Sequence, residues 1–171
     1  MKITLVMAQT LDGKIGKNSQ HIANWTSTED KKSFAKITKE AGVLIMGSAT
    51  FDTIGKALPG RLNVILTSKP EKYQDKQQPG LLEFFSGAPA EIVAMLESRG
   101  YQTAALGGGA KTNAAFLKAK LVDEIFMTIE PILFGSGISL AEGSDIELKL
   151  KLLGTEKIND QAIQLHYQVL K

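Results

Sequence analysis

The sequence predicts an α/β fold in a single domain. Its central sheet is expected to be mostly parallel, with helices on both faces and antiparallel strands at the C-terminal end. Short runs rich in Val, Ile and Leu alternate with helical patterns and are bounded by Gly and Pro, the rhythm of strand–helix–strand units. The early runs are continuously apolar, as strands buried on both faces are. The last run, Ala162 to Leu170, mixes in polar residues with partial alternation, which suits an antiparallel or edge position. At 171 residues the chain has the length of one domain with one substantial core, and no repeat, low-complexity tract or composition shift marks a linker.

Taken in order, the first strand is expected over 2–8. Segment 10–24 leaves its C-terminal end as a long, polar, glycine-containing loop, at the place where open α/β sheets bind ligands; it reads equally as a lid or as a surface loop. A helix follows over 28–41, with Ser27/Thr28 as its cap and Glu29 and Asp30 complementing the helix dipole in the first turn. Further strands are expected at 43–46, 62–67, 82–85, 103–106 and 122–130, and late ones near 147–157 and 161–170. Helices at 49–55, 88–99 and 109–119 complete the pattern, so that each connection between parallel strands is expected to carry a crossover helix.

Composition narrows the function. Hydrophobic residues make up 43% and charged residues 22%, ordinary values for a soluble globular protein. Twenty Lys+Arg against eighteen Asp+Glu give a net charge of +2, too small a surplus for a nucleic-acid or anionic-membrane footprint. The absence of cysteine removes thiolate metal sites, disulfides and cysteine nucleophiles together, and no metal site is expected. The apolar run Ile3 to Ala8 is too short for a signal peptide or a membrane span, and no later stretch is longer, which predicts a cytoplasmic protein. His21 and His166 have no evident triad partners and read as structural or exposed.

Several junctions could carry chemistry. Leu106-Gly107-Gly108-Gly109-Ala110-Lys111-Thr112 joins a predicted strand to a predicted helix, where consecutive glycines let backbone N–H groups approach a phosphate and the helix N-terminus complements its charge. A ligand-free tight turn is the other reading. Met46-Gly47-Ser48-Ala49-Thr50 and Leu66-Thr67-Ser68-Lys69 place hydroxyls just past strand ends, suited either to a nucleotide phosphate or to helix capping. Asp30 follows Trp25 and the run Thr26-Ser27-Thr28; a carboxylate beside Trp in a cleft can hold a raised pKa and protonate a substrate, or can simply serve the helix dipole. Lys14 and Arg61 are the cationic candidates for an anionic substrate.

These pieces, in this order, resemble the dihydrofolate reductase superfamily, which includes the reductase domain of the riboflavin-pathway deaminase/reductase. The resemblance runs the length of the chain. It is carried by Met7-Ala8-Gln9-Thr10-Leu11-Asp12-Gly13-Lys14-Ile15-Gly16, by Trp25, Asp30 and Phe34, by Leu44 to Phe51 and by Leu58 to Ser68. Leu121 to Ile125 and Glu130-Pro131-Ile132-Leu133-Phe134-Gly135-Ser136-Gly137 resemble the riboflavin-type reductase more closely than the folate enzyme.

The resemblance implies an NADPH-dependent reductase. Ala8, Ile15 and Gly16 would border the nicotinamide and its ribose; Gly47, Ser48, Thr50, Thr67 and Ser68 would hold the adenosine phosphates; Gly107, Gly108, Gly109, Ala110, Lys111 and Thr112 would cradle the pyrophosphate. Asp30 matches the acid of the folate enzyme's substrate pocket, where Trp25 and Phe34 also fall; Arg61 matches its substrate-carboxylate arginine and Thr128 the threonine supporting the acid. Similarity to the riboflavin enzyme instead brings Asp12, Lys14 and Thr26 to a ribosylaminopyrimidine phosphate and favours that substrate class, with a pterin as the alternative and a non-catalytic NADPH-binding module as a third reading. Riboflavin-type members also imply a homodimer, with 147–170 at the interface. The chain departs from both patterns: Leu106 stands where the riboflavin type carries Glu, and Ser48 and Thr112 stand where the folate type carries Arg and an aromatic residue. Lys69 or Lys72 is then a candidate cation for a 2′-phosphate. The H-x-E and P-C-x-x-C signature of zinc deaminases is absent.

Overall fold

Strand β1 (Lys2–Thr10) is the spine of the molecule, with Ile3 and Leu5 completely buried. It pairs in parallel with β6 (Thr103–Leu106) on one side and with β7 (Glu124–Glu130) on the other. The computed structural model describes residues 1–142 and 145–171. Outward from β6, the parallel strands β3 (Val43–Gly47), β4 (Leu62–Leu66) and β5 (Leu82–Phe85) follow. Outward from β7, β10 (Ile163–Leu170) and β9 (Lys149–Lys157) are antiparallel, which gives the order β5-β4-β3-β6-β1-β7-β10-β9. The mixed sheet is the one the apolar patterning predicts. Partial alternation in the last run marks the antiparallel strand β10, and β9 takes the edge.

Side chains alternate across the sheet, so successive apolar residues feed two different layers. Ile3, Leu5, Val43, Ile45 and Val64 pack against Ile92 and Leu96 of α3 (Pro89–Ser98) and Phe116 and Leu117 of α4 (Ala110–Lys118). Val6, Leu44, Met46 and Ile65 face the other way, against Phe34 and Ile37 of α1 (Thr28–Glu40) and Phe51 of α2 (Ser48–Ile54). This is why the early strands read as unbroken apolar runs: each has two buried faces.

Helix α1 starts where the sequence places its cap, with the Ser27 hydroxyl accepting the Asp30 N–H at 3.2 Å. Two expectations need correction. The parallel pair β4–β5 is joined by a 3-10 turn over Pro70–Lys76 rather than by a crossover α-helix, with Pro70 at its first position and non-helical backbone at Tyr73. Segment 10–24 is not continuous loop either: β2 (Lys14–Gly16) pairs antiparallel with β8 (Ile138–Ser139). A strand of three residues has no period of its own, and its partner lies more than a hundred residues away.

Candidate active site

The C-terminal ends of β1, β3, β4 and β6 open onto a cleft of about 880 Å³, closed on its far side by α1 and by the segment between β2 and α1. Parallel strands leave their ends, and the helix N-termini that follow them, on one edge of the sheet, so loops distant in sequence meet there. Of the residues singled out from the sequence, Ala8, Ile15, Gly16, Trp25, Thr26, Asp30, Phe34, Gly47, Ser48, Thr50, Arg61, Thr67 and Ser68 line this cleft. Gly107, Gly109, Ala110, Lys111 and Thr112 line it too.

Asp12, Lys14, Gly108 and Thr128 are not on its wall. Asp12 clamps two loops: it accepts the Thr10 hydroxyl at 2.6 Å, the Phe134 N–H at 3.1 Å and the Gly135 N–H at 2.8 Å. Led by the Thr10 hydrogen bond, these donors hold its carboxyl below the usual carboxylate range. Lys14 follows in β2, its backbone N–H on the Thr10 hydroxyl at 2.9 Å and its ammonium 3.5 Å from the Ser139 hydroxyl.

Asp30 sits in the first turn of α1 and is only 8% exposed. Burial pushes its carboxyl above the usual range; the Thr128 and Thr26 hydroxyls pull it down by hydrogen bonding, and Glu130 adds repulsion in the raising direction. Thr128 lies completely buried behind the acid on β7. Its oxygen accepts the Gln164 side-chain N–H at 3.1 Å, and the Gln164 carbonyl accepts the Ser33 hydroxyl at 3.1 Å. Gln164 thereby fixes the position of the Thr128 side chain. Beside the acid, the buried indole N–H of Trp25 has no acceptor among the described residues.

At the opposite end of the cleft, Gly47 and the 107–109 glycines pack two strand–helix junctions against each other. The Gly47 N–H donates to the Gly108 carbonyl at 2.8 Å. A Cβ on Gly47 would lie 2.6 Å from the Thr112 hydroxyl, one on Gly107 2.8 Å from a Leu44 methyl, and one on Gly109 3.1 Å from the Thr50 hydroxyl. A side chain at any of the three would have to displace a neighbour, and α4 begins on this junction with Gly109 as N-cap and no side-chain cap on its free N–H groups.

Arg61 is 7% exposed, and burial lowers its proton affinity. Its guanidinium donates to the Pro59 carbonyl at 3.0 and 3.2 Å, to the Ala35 carbonyl at 3.4 Å and to the Thr38 hydroxyl. Among the described residues no carboxylate lies within 4.0 Å of it. The turn that presents it is fixed by buried Asn63, whose side chain accepts the Leu58 N–H at 3.0 Å and donates to the carbonyls of Leu58, Arg61 and Leu81 at 2.9 to 3.0 Å.

Sequence reasoning placed Trp25 at the site but did not assign Gln164, Glu130, Lys31 or the other rim residues, His21, Phe134 and Lys17. Gln164 and Glu130 carried a usable signal, since each is polar at an inward strand position. The rim is tertiary: His21 and Trp25 set their edges on Phe134 at 5.3 and 5.2 Å, with the Lys17 ammonium 5.2 Å over the same ring. His166, away from the cleft, stacks on Phe126 at 3.9 Å and meets Glu124 at 3.0 Å. Among the described residues no cluster of three His, Cys, Asp or Glu side chains is placed to hold a metal, and no helix is long and apolar enough to cross a membrane.

Comparison with known proteins finds relatives of the same fold. The Bacillus subtilis (strain 168) protein YwjB is 28% identical over 174 residues, covering 97% of both chains. The diaminohydroxyphosphoribosylaminopyrimidine deaminase/5-amino-6-(5-phosphoribosylamino)uracil reductase of Thermotoga maritima superposes with a TM-score of 0.82 at 18% identity; the match covers 99% of this chain and 56% of that one. Dihydrofolate reductase from Enterococcus faecalis, complexed with NADP(H), superposes with a TM-score of 0.74 at 24% identity over 99% of this chain and 97% of its own. This chain thus has the fold of both proteins. The RibD C-terminal domain family matches residues 1–164, and the chain belongs to that family.

Proposed function

We propose that the protein is a cytoplasmic, NADPH-dependent reductase of a nitrogen-heterocycle substrate, with a riboflavin precursor of the 5-amino-6-(5-phosphoribosylamino)uracil type as the favoured substrate. The observation that carries this reading is the cleft itself: one continuous wall joins a buried acid of raised proton affinity to a glycine-built junction at a helix N-terminus. NADPH, when bound, supplies the hydride.

The residues present fit such a group. At the junction of Gly47 with Gly107 and Gly109, backbone rather than side chain faces the cleft, and the free N–H groups of α4 suit a pyrophosphate. Ser48, Thr50, Thr67 and Ser68 offer hydroxyls to the adenosine side, while Ala8, Ile15 and Gly16 leave room for a flat ring next to Asp30. Asp30, its proton affinity raised by burial, would supply a proton to the reduced heterocycle, Gln164 fixes the Thr128 hydroxyl that acts on it, and the His21–Phe134–Trp25 rim would keep water from that end of the cleft. Trp25 offers its free indole N–H to a polar substrate atom. A homodimer through β9 and β10 is part of the same reading; Leu150, Leu152 and Leu153 on the edge strand are at least 43% exposed, and pairing two edges would cover them.

One observation favours a second substrate class. Arg61 is a buried guanidinium on the cleft wall with no carboxylate partner among the described residues, the arrangement a carboxylate-bearing pterin would use. The discriminating experiment is NADPH oxidation followed by absorbance with the ribosylaminopyrimidine phosphate and with dihydrofolate in parallel, NADH serving as control. Turnover with the pyrimidine supports the favoured reading, turnover with dihydrofolate alone moves the assignment to the pterin, and tight NADPH binding without turnover on either makes the chain a non-catalytic binding module. Asp30→Asn is expected to lower kcat by about 10²-fold or more with NADPH affinity nearly intact; equal loss of both would make Asp30 structural.

A further inference from the structure

We propose that Glu130 is a positioning residue for Asp30, acting on it both through Ser27 and through its own charge. The proposal rests on the reading of Asp30 as the acid of the cleft.

Glu130 is the last residue of β7, two positions from Thr128, so both side chains emerge on the same face of the strand. Both are buried, Glu130 to 3% exposure. One oxygen of its carboxylate accepts the Ser27 N–H and the Ser27 hydroxyl, each at 2.8 Å. That hydroxyl oxygen in turn accepts the Asp30 N–H at 3.2 Å. A strand end is thereby tied through a helix cap to the residue carrying the acid. β7 then bears on Asp30 twice: Thr128 acts on its carboxyl, and Glu130 holds its backbone through Ser27.

The hydrogen bonds to Ser27 need an acceptor but not a charge, because both donors are neutral. A buried carboxylate normally meets a cation, yet among the described residues no Lys, Arg or His nitrogen lies within 4.0 Å of Glu130. The same grip on the cap is available to glutamine at lower desolvation cost. What glutamine lacks is the negative charge felt by Asp30. The groups that act on the Asp30 carboxyl are Thr26 ahead of the helix, Thr128 and Glu130 on β7, Gln164 of β10 behind Thr128, and Lys31 alongside on α1. Lys31, both hydroxyls and the helix N-terminus all favour the ionised form. Among the described residues Glu130 is the charged group opposing them, and it adds to burial in raising the Asp30 carboxyl.

The test is the titration of the Asp30 carboxyl by carbon-detected NMR in ligand-free protein, in the unmodified chain and in Glu130→Gln. Glu130→Gln keeps the acceptor for Ser27 and removes the charge, and is expected to lower the Asp30 midpoint by about half to one pH unit, a roughly three- to tenfold weaker hold on the proton. In turnover, the alkaline limb of the kcat profile then moves to lower pH, while KM for NADPH stays within about twofold. A Glu130→Gln protein whose melting temperature changes but whose Asp30 midpoint does not overturns the proposal. So does an ordinary carboxylate midpoint for Asp30 in the unmodified chain, an outcome readable even if Glu130→Gln does not fold. The titration needs no substrate, so the two readings fail separately. A shifted midpoint without turnover refutes the reductase and keeps Glu130 in its role; turnover with an unmoved midpoint does the reverse.

Discussion

Adding one methyl group at Gly47 probes whether the cofactor end of the cleft is built by close packing of two strand–helix junctions. The backbone there, φ −78° and ψ 156°, suits any residue, so Gly47→Ala carries no conformational strain. The obstacle is one atom: the new Cβ would lie 2.6 Å from the Thr112 hydroxyl oxygen, roughly 0.8 Å short of ordinary contact, while the next neighbours, Gly109 N and Thr112 Cβ, stand at 3.8 Å. Either Thr112 rotates into the cleft or the first turn of α4 moves away, and overpacking of this kind costs about 1–3 kcal/mol. Thr112→Ala removes the oxygen and leaves the rest in normal contact, so Gly47→Ala in that background is expected to cost under about 0.5 kcal/mol, a coupling of about 1–2 kcal/mol. Urea unfolding of the four proteins measures the coupling. Trp25, the sole tryptophan, reports NADPH binding, and Gly47→Ala alone is expected to weaken it about tenfold, equivalent to about 1.4 kcal/mol. Additive unfolding energies would refute the packing argument, and unchanged NADPH affinity would refute the placement of the cofactor.

Other perturbations test the remaining parts. Because the Asp30 pKa is raised on folding from the ordinary 3.8, its stabilising contribution is present below that value and lost as pH rises through the native one. Asp30→Asn is therefore expected to gain stability relative to the unmodified protein between acid and neutral pH, and a constant difference in urea midpoints across that range would contradict the raised pKa. Asp12 shows the opposite sign: its lowered pKa stabilises above 3.8 and the contribution fades as pH falls through the native value, so the melting-temperature gap between the unmodified protein and Asp12→Asn should close in acid. Gly108 has φ +96°, and a Cβ there would stand 3.1 Å from the Met7 sulfur. Gly108→Ala is expected to cost about 1–2 kcal/mol in unfolding and to weaken NADPH binding; full affinity would remove this backbone from the cofactor site.

Much of the fold was legible because local and global demands agree. Val43-Leu44-Ile45-Met46 is apolar at every position because each residue is buried in one of two layers, and Ser27 caps α1 in the structure as its residue type and place announce. The glycine-rich junction was legible as a strand-to-helix turn with exposed backbone, while the side chains that crowd its glycines, Thr112, Leu44 and Thr50, emerge only in the fold. Illegible features were those whose partners are remote. β2 depends on β8, Asp12 spends its carboxylate on the backbone of 134 and 135, and Asn63 braces a turn through carbonyls as far away as Leu81.

The sequence by itself determined the fold class, the mixed sheet and the residue types at the cleft, because periodicity, caps and glycines act over a few residues and leave their mark in spacing. The tertiary structure alone decided what state those residues are in. The Asp30 carboxyl is pushed above its ordinary range because burial and a second carboxylate from β7 outweigh the Thr128 and Thr26 hydroxyls that pull it down, and Arg61 lines the cleft without a carboxylate partner among the described residues, on a turn braced by Asn63. Proton affinity and desolvation depend on everything within a few ångströms of an atom. Here those neighbours come from segments up to about 130 residues apart.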